Sequence, residues 1–378
     1  MKSLYKQVEK HLCKTLSTPP EGNALKRIHS LSGFITGMIR KGNSSLEALG
    51  SGVPKNIAFR SKTVAAERFV KNKWTDYDSH FLPLLIPFLK SFLAFSISKL
   101  GVRFVIDGTQ VGKDNAALMI SFVWQKRGVP ICWFVKKGSK GHFKVADHIA
   151  VLEHFAAIIK PLLSEELAVT ILGDGEFDSI EIQQFCLNQS WNYALRTACN
   201  TVLYENGDRF YPENIAVEEG ENHVFIADIE FTKAKFQYVQ LVVQHDTKHK
   251  DPIFLISNLE CGQDIMDYYD ERYSIECLFR DVKTTSFNLH LTRLKEPEHV
   301  SNLIIIAALA FILLLTLGIQ YNSLEWRKKV QRVRNGRKVL AFFTFAFLLL
   351  AFLLDNDVPW EFSFHFPKNE DDFFKGYT

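Results

Sequence analysis

Hydrophobic positions along this chain fall into two rhythms. Arg103 to Ile106 and Val169 to Leu172 are short, continuous runs, and each stops at glycine and an acid: Asp107-Gly108-Thr109 and Gly173-Asp174-Gly175. Such runs predict buried strands that end in turns. Ala117 to Trp124 and Val129 to Lys136 flank Gln125-Lys126-Arg127-Gly128 and predict a hairpin beside the first strand. Ala146 to Leu163 changes rhythm, with Ile149, Leu152, Phe155, Ile158 and Ile159 at helical spacing. That helix is long enough to cross over to a parallel strand ending at Asp174. A shorter helix over Ser179 to Asn188 and a strand over Asn192 to Thr197 follow. Between Thr197 and Asn258 the runs His223 to Phe231, Tyr238 to His245 and Ile253 to Ser257 carry β-branched residues with partial alternation, which predicts a β-rich insertion.

The flanks read as helical. In the N-terminal part, Thr18-Pro19-Pro20 and Gly22 interrupt an early amphipathic stretch. Ser30 to Met38, Ser44 to Leu49 and Ser61 to Asn72 are each expected to be helices begun by a capping serine. The last carries Lys62, Arg68, Lys71 and Lys73 near it, so this region reads either as a DNA-reading module or as a bundle packed on the rest. Toward the C-terminus, Leu303 to Ile319 and Val339 to Leu354 are apolar runs of 17 and 16 residues. Crossing a bilayer takes roughly 17 to 25 residues, so a membrane hairpin competes with two buried helices. Buried helices are preferred, because the first run follows Glu276 closely enough to complete the same core; the second, with Phe342, Phe343, Phe345 and Phe347, alternatively suits a subunit contact. The expected division is 1–98 helical, 99–197 and 259–320 the two parts of an α/β domain, 198–258 the insertion, and 321–378 a basic and apolar helical region.

Composition adds limits. A chain of 378 residues with 47% hydrophobic content buries substantial cores, and a net charge of +3 names no partner. The distribution of charge says more: residues 327–338 contain seven basic and no acidic side chains, among them Arg327, Lys328, Lys329, Arg332 and Arg334. Such a run is either simply solvated or neutralises phosphates; beside polynucleotide chemistry, DNA contact is expected. The six cysteines have no paired spacing for zinc or a redox motif and are expected to be reduced thiols. The N-terminus lacks the order of a secretory signal, and an intracellular, cytoplasmic protein is expected.

The candidate chemistry rests on acids. Asp107 and Asp174 stand at strand ends beside glycine, although an Asp-Gly pair is often only a turn. Tyr269, Arg272, Glu276 and Lys283 follow one another at spacings of 3, 4 and 7, which in a helix turning about 100° per residue gathers them within roughly 60°. Ile275, Leu278, Phe279 and Val282 then face an adjoining apolar sector. One carboxylate among three phosphate-binding groups, with two further acids at strand ends, fits hard divalent cations and polynucleotide substrates. Asp228, Glu230, Glu218 and Glu219 lack that setting.

The order Asp, Asp, Glu together with Tyr269-x2-Arg272-x3-Glu276-x6-Lys283 resembles the DDE transposases of bacterial insertion sequences, in the group carrying a Tyr-x2-Arg-x3-Glu-x6-Lys signature. The resemblance runs from about residue 100 to 295. It implies an α/β, ribonuclease-H-like mixed sheet flanked by helices, interrupted by the β-rich insertion, with helical N- and C-terminal regions. It implies two Mg²⁺ ions, replaceable by Mn²⁺, held by Asp107, Asp174 and Glu276, with Asp107 bridging both. Arg272 and Lys283 would grip phosphates, and Tyr269 would bond to the DNA backbone. The implied partners are double-stranded DNA, both terminal inverted repeats and target, and a second copy of the chain in the DNA complex; the implied location is the bacterial nucleoid. A catalytically inactive DNA-binding derivative and a metal-dependent nuclease without strand transfer are the rival readings.

Overall fold

The structure, a computed structural model, describes residues 2–96, 101–124, 126–141, 143–164, 166–220, 223–245, 247, 251–330 and 341–362. The expected contact residues Arg332 and Arg334 lie outside them.

Six helices precede the sheet: α1 (Lys2–Thr15), α2 (Gly22–Lys41), α3 (Leu46–Ser51), α4 (Phe59–Lys71), α5 (Tyr77–His80) and α6 (Leu82–Ser96). Of the three serines expected to cap helices, none does so where the pattern placed it. Ser45 caps α3 by accepting the Ala48 N–H at 3.2 Å, while Ser30 lies inside α2 and its hydroxyl donates to the Lys26 carbonyl at 3.0 Å. Ser61 likewise falls inside α4. α2 and α3 meet backbone to backbone: a Cβ on Gly52 would stand 2.1 Å from the Gly33 carbonyl oxygen, and one on Gly37 2.2 Å from that of Ala48. Backbone cannot swing aside as a side chain does. Gly52→Ala is therefore expected to destabilise the protein by about 1–3 kcal/mol, the usual cost of overpacking; a chemical denaturation midpoint equal to that of the wild type would refute this contact.

The sheet begins with β1 (Val102–Val111), β2 (Asn115–Trp124) and β3 (Arg127–Lys137), an antiparallel meander. Helix α7 (Val145–Ile159) crosses over to β4 (Val169–Gly173), which pairs parallel with β1, and α8 (Ile180–Asn188) leads to β5 (Asn192–Arg196), parallel to β4. The strand order β3-β2-β1-β4-β5, with the first three antiparallel and the last two parallel to β1, is ribonuclease-H-like. Long apolar runs suit these strands because helices cover the sheet: every residue of β2 and β4 is buried.

β6 (Leu203–Glu205), β7 (Asp208–Phe210), β8 (Val224–Phe231), β9 (Phe236–Gln244) and β10 (Ile253–Ser257) continue the same sheet, with β10 pairing antiparallel to β5. The β-rich stretch thus extends the catalytic sheet past its β5 edge to ten strands among the described residues. Then follow α9 (Gly262–Asp270), α10 (Tyr273–Arg280), a π-helical segment (Asp281–Ser286), α11 (Pro297–Gln320), α12 (Leu324–Val330) and α13 (Phe342–Asp355).

α11 is long and apolar enough to cross a membrane, and its apolar stretch is wholly buried inside the protein. It packs on α2, α4, α13 and β3. Gly318 lets α13 approach, since a Cβ there would stand 2.8 Å from the Ala346 methyl, and Phe311 stacks on Phe343 at 4.7 Å. Phe342, Phe343 and Phe345 are buried within the chain, so they are not presented to a second subunit as the sequence pattern suggested.

Candidate active site

Two parallel neighbours build the centre of the site. In the β1–β4 register Ile106 lies opposite Gly173, so Asp107 and Asp174 come next on neighbouring chains. Only Asp174 follows a strand end: β1 runs on to Val111, with Asp107 paired to Met119 of β2, so the strand end expected at Asp107 is not found, because the hairpin partner carries the strand through Asp107-Gly108-Thr109. Gly173 is required here by close approach, because a Cβ would stand 2.8 Å from the Phe177 side chain. Asp107 is 1% exposed, and its Oδ1 accepts the Gly108 N–H at 2.7 Å. The Asp174 side chain accepts the Glu176 N–H at 3.0 Å, and the Phe177 N–H bonds the Asp174 carbonyl at 3.0 Å, closing a turn.

The signature segment is not one helix. Tyr269 ends α9, Arg272 stands in the turn before α10, Glu276 lies in α10, and Lys283 falls in the π-helical stretch. The uniform 100° step therefore fails past Arg280, and of the four side chains Arg272 is the one in contact with Asp107. Arg272 is the hub: its Nη2 donates to Glu276 Oε1 at 2.6 Å and its Nη1 lies 3.8 Å from Asp107 Oδ2. Its guanidinium sits 5.6 Å from the centre of the Tyr269 ring. Lys283 Nζ donates to Thr109 Oγ1 at 3.1 Å. Ile275 and Leu278 are buried, and Phe279 and Val282 pack partly against the core, which anchors the acidic helix as its apolar sector predicts.

Two site residues were not singled out in the sequence. Lys140 Nζ lies 3.0 Å from Asp107 Oδ1. Its loop is tied down by Gln110, whose side-chain oxygen accepts the Lys140 N–H at 3.1 Å while its amide donates to the Gly138 carbonyl at 3.3 Å. The glycine-flanked basic run Lys136-Lys137-Gly138-Ser139-Lys140-Gly141 was the available signal. The other is Glu176, two residues after Asp174.

Electrostatics follow from burial. Desolvation raises the Asp107 pKa above the ordinary carboxylate value; Lys140 and Arg272 oppose this, and the neighbouring Asp174 adds to it. Burial, reinforced by Lys140, lowers the Lys283 pKa, with Asp107 acting the other way. Burial likewise raises the Tyr269 pKa, with Arg272 and Arg196 pulling it down.

Among the described residues, Arg327 and Lys329 of the C-terminal region have partners within that region. Arg327, expected at DNA, is 2% exposed: its Nε donates to Asn322 at 2.8 Å and its guanidinium lies 4.5 Å from the Phe345 ring, so packing of α12 on α13 has turned it inward. Lys329 pairs with Glu325 at 2.7 Å and sits over Trp326, and Lys328 is exposed.

Asp107, Asp174 and Glu276 are the residues that would hold a divalent metal. Their donor set is carboxylate oxygen throughout, which suits Mg²⁺ or Mn²⁺ better than zinc, and the paired Asp107 and Asp174 concentrate negative charge. Among the described residues, however, no three His, Cys, Asp or Glu side chains converge on one point. Glu276 is one guanidinium away from Asp107, and the positive charge at these oxygens comes from Arg272 and Lys140. The chemistry of the donors fits; Arg272 and Lys140 would have to yield oxygens.

Two solved structures of Ciona intestinalis endonuclease V resemble the chain slightly. One, in complex with a 24mer DNA containing an inosine followed by a ribo-adenosine, is 15% identical, covers 45% of this chain and 76% of that one, and has a TM-score of 0.28. The other, a variant with a 23mer DNA of the same kind, is 13% identical, covers 54% and 82%, and has the same TM-score of 0.28. Likeness of that degree bears on neither fold nor chemistry. No curated protein matches the chain. Residues 106–313, more than half of the chain, match the family model described as Transposase DDE domain, and they span Asp107, Asp174 and Glu276. The chain belongs to the DDE transposase family.

Proposed function

We propose that this protein is an insertion-sequence transposase of the group with the Tyr-x2-Arg-x3-Glu-x6-Lys signature, cutting DNA at transposon ends and joining those ends to a target. The reading is supported by the match of residues 106–313 to the Transposase DDE domain together with Arg272, which stands between Asp107 at 3.8 Å and Glu276 at 2.6 Å.

Asp107, Asp174 and Glu276 would hold two Mg²⁺ ions. Bound there, the metal would offset charge on the phosphodiester and activate the attacking hydroxyl, so no side-chain base is needed. Arg272 and Lys140 would exchange carboxylate oxygens for phosphate oxygens as substrate arrives, which the length of both side chains allows. Lys283, held by Thr109, adds a second fixed cation, and Tyr269 presents a phenol to the DNA backbone. Residues 1–98 would contribute DNA recognition, 198–258 would help hold the transposon end, and 321–378 would add backbone contacts through Lys328 and Lys329. Two copies would act together, since both ends of an element must be cut and joined.

A metal-dependent nuclease with the same fold is the closest rival. The test offers the purified protein pre-cleaved transposon ends, target DNA and Mg²⁺. End-joined products with the wild type, and none with Asp174→Asn or Glu276→Gln, are expected. Cleavage without joining would favour the nuclease, and full activity in either variant would remove that acid from the metal site.

A further inference from the structure

One carboxylate at the site has no role in the chemistry above. Glu176 follows Asp174 in the turn closed by the Phe177 N–H, and its own N–H orients the Asp174 side chain at 3.0 Å. Residues two apart in this turn thus bring both carboxyl groups to the same end of the sheet, beside Asp107.

The surroundings of Glu176 are unusual for an acid. Its Oε1 is buried and makes no hydrogen bond among the described residues. The group facing that oxygen is His148 Nε2 of α7, at 3.6 Å, beyond a hydrogen bond. His148 is itself 2% exposed, and neither of its ring nitrogens has a hydrogen-bond partner. Its ring is fixed in position by Phe177 at 4.8 Å and Phe143 at 6.4 Å. Buried polar atoms left this way are costly, and native structures hold few of them.

Neighbouring acids are treated differently. Asp178 accepts the Thr197 hydroxyl at 2.7 Å, and Asp147 is bound by Lys136 at 2.5 Å and by the Lys144 N–H at 2.9 Å. Glu276 is 43% exposed and bonded to Arg272. Among the described residues, Glu176 is the acid that combines a buried, unbonded oxygen with the nearby charges of Asp174 and Asp107.

We propose that Glu176 is a fourth metal-binding carboxylate of this site and that His148 is its positioning residue. The inference rests on the metal reading of Asp107 and Asp174. A cation taken up by one Glu176 oxygen would leave the other to accept from the His148 N–H, satisfying in one arrangement two groups that are otherwise unbonded. Ligands held from behind by such a donor are a common device in metal sites, and losing the partner weakens metal binding about 10–100-fold.

The test is Mn²⁺ binding to the full-length chain without DNA, by titration calorimetry, with circular dichroism melting to confirm folding. Glu176→Gln is expected to weaken Mn²⁺ at least about tenfold while melting like the wild type. His148→Leu should weaken it in the same direction, and His148→Gln, which keeps a donor, should recover part of the loss. If Glu176→Gln binds Mn²⁺ as tightly as the wild type while Asp107→Asn does not, Glu176 is no ligand and the metal reading of the other acids stands. If Asp107→Asn also binds normally, or the wild type takes up no Mn²⁺, the metal reading fails and this inference with it.

Discussion

Asp107→Asn is expected to reduce DNA cleavage by at least about a thousandfold, roughly 4 kcal/mol of transition-state stabilisation, while raising the melting temperature. The two effects have one cause. Asp107 is a carboxylate 1% exposed, with Asp174 beside it, and burial holds its pKa above the ordinary value. An acid whose pKa rises on folding favours the protonated form in the folded state. Its charge therefore destabilises the protein above that pKa, and the penalty is relieved as pH falls toward the unfolded value. Asparagine keeps the size and an acceptor for the Gly108 N–H but removes the charge. Lys140 is 48% exposed and free to turn to solvent, and Arg272 retains Glu276, so the substitution strands no buried cation. A gain on the order of 1 kcal/mol is expected at neutral pH, shrinking in acid. Mg²⁺ should raise the melting temperature of the wild type and leave the variant unmoved, because a ligand stabilises only the state that binds it. A variant less stable than the wild type at pH 7 would contradict this account of the site.

Arg127→Met is expected to have the largest effect on stability, a loss of about 3 kcal/mol at pH 8 and visibly less at pH 5. Arg127 opens β3 and lies 3.3 Å from Asp281 Oδ2; the two side chains are 15% and 2% exposed. Burial pushes the Asp281 pKa up to about 6, even with Arg127 and Arg280 pulling it down. Breaking a buried pair from one side costs about 3–5 kcal/mol because the other charge is left without compensation, and the remaining pull of Arg280 places this case at the low end. Since the folded pKa lies above the unfolded one near 3.8, the cost of the Asp281 charge appears as pH rises from about 4 through 6. Without Arg127 the folded pKa climbs further, so the loss deepens above pH 6 and eases where Asp281 takes up a proton. Urea denaturation at the two pH values provides the comparison, and Arg127→Met with Asp281→Asn should recover most of the difference. Equal destabilisation at pH 5 and 8 would mean that lost packing against the Phe342 ring, 5.9 Å away, and not charge, explains the effect. Asp281 also begins the π-helical segment that carries Lys283, so the same variant should weaken the Lys283–Thr109 contact.

The sheet was largely legible because its strands are apolar. β2, β3, β4, β5 and β10 fall where continuous hydrophobic runs place them, whereas β1 runs past the expected end at Ile106 to Val111. β6 and β7 were missed: three residues each, they are too short for any rhythm to register. α6 was missed because Pro87 stands inside it and nearly every position is apolar, which erases helical periodicity. At the site, Asp107 and Asp174 were singled out by glycine after an apolar run; Asp174 does follow the end of β4, whereas Asp107 lies inside β1. Lys140 and Glu176 were not, since a lysine in a loop or an acid in a turn looks the same whether solvated or turned inward.

By itself the sequence determined where most of the longer strands and helices lie, the order in which the acids occur, and the resemblance to the family, because these depend on residues near one another along the chain. Only the tertiary structure decided what each charge meets. Arg272 joins Asp107 to Glu276, Arg327 folds away under Phe345, α11 is enclosed by protein, and Glu176 faces an unbonded His148. Each outcome depends on groups brought together by packing, and burial, which sets the cost of a charge or an unbonded polar atom, belongs to the folded chain and not to any window of its sequence.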